Sequence, residues 1–133
     1  MWSISLLSVV VAALLGFAVG GLWYGPLFLK VWQREAGITD AAMQKRHPAW
    51  VFGGAFVLQL FAAYFMGHTF ATYGNLSPNA TIMTALGIAL AFIVTAFGVN
   101  YLFAGRSVKL WLIDSGYYVV TYTSMGAAFA WIG

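Results

Sequence analysis

Apolar residues run almost unbroken along four stretches of the chain, about Ile4 to Tyr24, Trp50 to Tyr73, Thr81 to Phe103 and Val108 to Ile132, with short polar segments between them. Each stretch has the ~20 residues that a helix rising ~1.5 Å per residue needs to cross ~30 Å of hydrocarbon, so the pattern predicts four transmembrane helices. A membrane barrel would instead show ~10-residue segments of alternating polarity. The first stretch is too long for the apolar core of a secretory signal, and Met1 to Ser5 carries no Lys or Arg. It reads as a retained helix. Tryptophans bracket the spans: Trp2 and Trp23 the first, Trp111 and Trp131 the fourth, with Trp50 opening the second. At headgroup depth an indole keeps its N–H wet while its ring is buried, so these positions mark the span edges independently.

The segment between the first two spans, Pro26 to Ala49, is longer than a turn requires. On a helical wheel of PLFLKVWQREAG, Leu27, Phe28, Val31 and Trp32 share one arc, and Lys30, Gln33 and Arg34 share the opposite one. That pattern predicts a short interfacial helix lying on the membrane surface. Pro26 is expected to break it from the first span and Gly37 to end it. A second short helix is expected to start with Thr39 as N-cap and Asp40 in its first turn, and to stop before Pro48.

Composition agrees with an all-α, polytopic membrane protein: 62% of the 133 residues are hydrophobic and 7% are charged, where soluble domains carry about a quarter charged. The net charge of +3 matters less than its placement. Lys30, Arg34, Lys45 and Arg46 lie between the first and second spans, and Arg106 and Lys109 between the third and fourth, so in a four-span chain all of them share one side. The positive-inside rule makes that side cytoplasmic and puts both termini outside, in a plasma membrane of bacterial inner-membrane type. The basic belt is topogenic first, and as a binding surface it would take anionic lipid heads rather than nucleic acid.

The absence of cysteine excludes disulfides, thiolate catalysis and Cys-ligated metal. His47 and His68 have no second His, Cys or carboxylate at metal-ligand spacing, so neither a metal nor a cofactor is expected. The acids are Glu35, Asp40 and Asp114, the first two in the loop, which leaves no paired carboxylates and no Ser-His-Asp set; no enzyme is expected. Gly16 and Gly20, extended back to Ala12, form a small-residue stripe expected at a close helix contact. The remaining candidates are intramembrane polar residues. Asp114 lies about one turn inside the fourth span, with Tyr118, Thr121 and Tyr122 following at i+4, i+7 and i+8; Asn100, Gln59 and His68 stand on the other spans. A charge in a span normally faces the interior with a partner. Two readings compete: interhelical glue in a structural or accessory subunit, acting as a homo-oligomer or inside a larger complex, and a channel or transporter path for a proton, small ion or solute along the polar stripe.

The two exits on the basic side echo each other. WYGPLFLKVW and NYLFAGRSVKLW each pass through a Tyr and then a Lys, an aliphatic residue and a Trp, as if the halves were parallel hairpins related by an axis along the membrane normal. At LWYGPLF, at NYLFAGRSVKLWLI and at GYY in the fourth span, the chain resembles the small four-helix membrane proteins grouped as domain-of-unknown-function family 1761. The resemblance covers nearly the whole chain and implies the fold, with no catalytic residues to carry over. In that family's pattern an Asn often stands where this chain has Asp114, and a His where it has Tyr118. Both departures count against a carboxylate there being essential to a family-wide function.

Overall fold

The computed structural model describes residues 4–133, and among the described residues every regular element is helical. Trp2 lies outside the described residues. Helix α1 (Leu6–Leu22) begins at Ser5, whose side chain accepts from the Ser8 N–H, and continues through a π-turn, Trp23–Leu27. The short helices α2 (Leu29–Ala36) and α3 (Asp40–Gln44) follow, then α4 (Pro48–Tyr73). Next comes one rod made of α5 (Pro78–Ile88), a second π-turn (Ala89–Ile93) and α6 (Val94–Ala104), and α7 (Val108–Ile132) closes the chain.

Local chemistry accounts for most of the boundaries. Thr39, His47, Ser77 and Ser107 each occupy an N-cap with a side-chain atom accepting a first-turn N–H, and Pro48 and Pro78 sit in first turns, where a missing N–H costs nothing. Gly37 and Gly105 end α2 and α6 at φ 72° and 69°, the left-handed conformation that glycine adopts without strain. Pro26 behaves differently from the expectation: it does not break the helix. Lacking an N–H, it cannot bond to the carbonyl four residues back, and the turn widens so that the Phe28 N–H donates to Trp23 O, five residues back, at 2.9 Å. The break falls at Phe28 (φ −128°, ψ 7°), where α2 turns away.

Three helical segments are long and apolar enough to cross a membrane: Leu6–Leu27, Pro48–Tyr73 and Pro78–Ala104. The fourth expected span, α7, has the length but is not among them, because Asp114, Ser115 and its tyrosines and threonines dilute its apolarity. It is instead the most enclosed helix. α1 packs along it on one side and the α5–α6 rod on the other, and α4 lies against α1. The contact with α5 is close because Thr81, Ala85 and Ala89, spaced four apart, are all buried, and Gly126 faces Ala85 across the seam. The end of this packing that carries α2, α3 and the α6–α7 turn is called the basic end below.

Candidate functional site

Asp114 is buried in α7 near the basic end. Both of its carboxylate oxygens accept tyrosyl hydroxyls from outside α7: Tyr24 donates to Oδ1 at 2.6 Å from the π-turn after α1, and Tyr101 donates to Oδ2 from α6. Among the described residues no Lys, Arg or His lies within ion-pair distance of it. Asn100, expected to share this work, is exposed instead; successive helix residues are turned by about 100°, and it is the neighbouring Tyr101 that faces α7.

Two tryptophans fix the same region. Trp23 Nε1 donates to Ile113 O at 2.8 Å, tying the π-turn to α7, and Trp111 Nε1 donates to Val94 O at 2.9 Å, tying α7 to the start of α6. Close approach at glycine makes room for both rings. A Cβ on Gly116 would stand 2.9 Å from Trp23 Cζ2, and one on Gly98 would stand 3.3 Å from Trp111 Nε1.

One helical turn further in, Tyr117 joins three helices. Its hydroxyl accepts from Gln59 Nε2 of α4 and donates to Gly16 O of α1 at 3.2 Å. Gly16 is tightly enclosed, since a Cβ there would meet Gln59 Oε1 at 2.9 Å and Met125 Cε and Thr121 Cγ2 at 3.0 Å. Gly20 faces the same tyrosine more loosely, at 3.3 Å from its hydroxyl, and Ala12 is fully buried. The stripe Ala12, Gly16, Gly20 thus lies along α7 and Gln59.

Between these groups a cleft of about 350 Å³ is lined by Tyr24, Trp32, Phe97, Asp114, Tyr117 and Tyr118. The rings pack in series: Tyr24 lies 5.5 Å from Trp32 and 5.4 Å from Tyr117, and Tyr118 lies 4.7 Å from Tyr117 and 5.3 Å from Phe97. Thr121, Tyr122 and His68 do not line this cleft. Thr121 is buried against α1, Tyr122 packs on the core edge, and His68 stands in the half of α4 away from the basic end with its ring 6.2 Å from Phe65, its row-mates Tyr64 and Thr72 exposed. The structure therefore joins Asp114, Tyr118 and the unforeseen Tyr24, Tyr101, Tyr117 and Trp32, while His68 stays apart.

The basic residues Lys30, Arg34, Lys45, Arg46, Arg106 and Lys109 are all exposed. Arg106 donates to Ala36 O at 3.1 Å and Ser107 donates to Glu35 Oε1 at 2.6 Å, which pins α2 to the α6–α7 turn. Glu35 also faces Arg34 at 3.6 Å. The Ser107 hydroxyl, followed by the charges of Lys109 and Arg34, holds the Glu35 carboxyl below its usual range. Asp40 accepts from Gln33 Nε2 at 2.8 Å, and His47 Nδ1 accepts the Ala49 N–H as a helix cap. Among the described residues no group of His, Cys, Asp and Glu is arranged to hold a metal ion.

No curated protein and no solved structure matches the chain. A family model described as "Protein of unknown function (DUF1761)" matches residues 7–130, nearly its whole length, and the chain belongs to that family.

Proposed function

We propose that the protein is a structural or accessory subunit of the cytoplasmic membrane, non-enzymatic, acting as a homo-oligomer or within a larger complex. It crosses the bilayer four times with both termini outside, and α7 is the fourth span. The polarity of α7 supports that span. Asp114, Ser115, Tyr117 and Thr121 are turned inward, while Leu112 and Val120 are exposed, so these four polar residues lie on the face that neighbouring helices cover. The exposed basic belt then lies against the inner leaflet, where anionic lipid heads complement it.

The observation that carries the structural role is the use made of the buried polar groups. Asp114 is bonded to α6 and to the π-turn after α1, and Tyr117 to α1 and α4, so one helix is tied to α1, α4 and α6 at two adjacent levels. Interhelical hydrogen bonds of this kind contribute about 0.6 to 2 kcal/mol each. Asp114→Asn keeps the shape and can still bond both tyrosines, so melting in detergent should stay close to wild type and liposomes should show no proton flux with either form. Wild-type flux that the Asn variant abolishes would replace this reading with a proton path.

A further inference from the structure

We infer that the cleft beside Asp114 binds the ammonium head of a small organic cation, with the carboxylate as counter-charge and the rings of Trp32, Tyr24 and Tyr118 as its walls. The inference goes beyond the structural role and does not rest on it. Its first element is charge. Asp114 is buried, accepts two hydroxyls and has no ion-pair partner among the described residues, so its hydrogen bonds are supplied while none of those residues balances its charge. Buried charges in spans are normally paired, and a cation in the adjoining space would complete the pair.

The lining decides which cation. A hard metal ion takes six or more oxygen ligands, or keeps its water. Here Trp32 and Phe97 offer no oxygen, and the Tyr24 hydroxyl is already directed at the carboxylate. Aromatic faces grouped around a carboxylate instead match a diffuse alkylammonium charge, which the ring quadrupoles attract and the methyl groups fill. An anion would be repelled by Asp114, and a neutral apolar guest would leave the carboxylate without a purpose in the cleft. The size agrees, since about 350 Å³ falls at the lower end of small-molecule sites and suits a head of a few carbons. Trp32 belongs to α2, so the cleft lies at the basic end, and α2 is held beside it by the packing of Trp32 on Tyr24 and by the exposed contacts through Glu35 and Ala36. The ammonium group could belong to a free solute or to a lipid head, which share this chemistry.

The test is calorimetry on purified protein in uncharged maltoside micelles, with choline as probe and its uncharged carbon isostere dimethylbutanol as control. Saturable choline binding is expected, weaker by about tenfold or more for the isostere and for Asp114→Asn, and unchanged in Tyr122→Phe. Trp32→Leu, which removes a wall and no charge, should weaken binding several-fold and stands in if the Asp114 variant does not fold. Adding phosphatidylcholine distinguishes the sources: competition with choline identifies a lipid head as occupant, and undiminished choline binding identifies a soluble cation. No saturable binding, equal affinity for choline and its isostere, or unchanged binding in folded Asp114→Asn overturns the inference.

Discussion

Gly126→Ala should separate α5 from α7, and the size of the effect can be worked from the contacts. A Cβ at position 126 would stand 2.7 Å from Ala85 Cβ, 3.3 Å from Ile82 Cα and 3.4 Å from Thr81 O. Carbon atoms rest at about 3.5–4.0 Å, so the first contact alone is short by about 1 Å, and none of the three atoms is the free end of a flexible side chain. Relief requires the helices to move apart, which loosens the whole Thr81, Ala85, Ala89 seam. Overpacking of this kind costs about 1–3 kcal/mol, from which the better helix propensity of Ala subtracts about 1 kcal/mol. Gly87→Ala isolates that second effect, because a Cβ there meets nothing within 4 Å in the same helix system. Unfolding in mixed micelles with rising dodecyl sulfate, followed by circular dichroism, should show Gly126→Ala less stable than wild type and Gly87→Ala neutral or better. Ala85→Gly should rescue Gly126→Ala, giving a coupling of about 1–3 kcal/mol in the double-mutant cycle. Zero coupling in the double-mutant cycle would refute the close α5–α7 seam.

Two further outcomes are expected. Cysteines introduced at Asn75 and Gln44 should differ toward an impermeant thiol reagent on intact cells, Asn75 labelling and Gln44 not; the reverse result would invert the topology. Glu35 is held as a carboxylate in the folded chain, so its contribution to docking α2 is present above the ordinary Glu pKa of 4.5 and is lost as pH falls through the lower folded value. Trp32 emission should therefore change on acidification in wild type and not in Glu35→Gln, and an identical pH response in the two proteins would sever α2 docking from this carboxylate.

The fold was legible where one force dominates. Apolar runs of span length located α1, α4 and the α5–α6 rod, and the cap residue Thr39 and the stop at Gly37 follow from backbone groups that need partners whatever the tertiary structure. The π-turn at Trp23–Leu27 was hidden because a proline reads as a break, and whether a helix breaks or widens depends on what holds its next turn. Here Trp23 and Tyr24 are anchored on α7, 90 residues away. Helical phase was the second obstacle: the i, i+4, i+7 row placed Tyr118 beside Asp114 correctly, yet Tyr117, the residue that joins α1 and α4, lies at i+3 on the adjoining arc and looked like an ordinary span tyrosine.

The echo between WYGPLFLKVW and NYLFAGRSVKLW gains a physical meaning at Asp114. The tyrosine of each motif, Tyr24 and Tyr101, leaves its own half of the chain near the basic end and donates to one oxygen of the same carboxylate. The tryptophans of the two motifs do not share this symmetry: Trp32 lines the cleft, while Trp111 bonds Val94 O across the α6–α7 seam. A carboxylate offers two acceptor oxygens on one rigid plane, so it joins two donors symmetrically. Asn in its place offers one acceptor and one donor, which the tyrosines accommodate because a hydroxyl serves in either role. Joining the halves therefore needs a planar group with two polar atoms and makes no demand on its charge. A site for an alkylammonium head does demand the charge, so the carboxylate specifically, rather than the junction it makes, is what the calorimetry addresses.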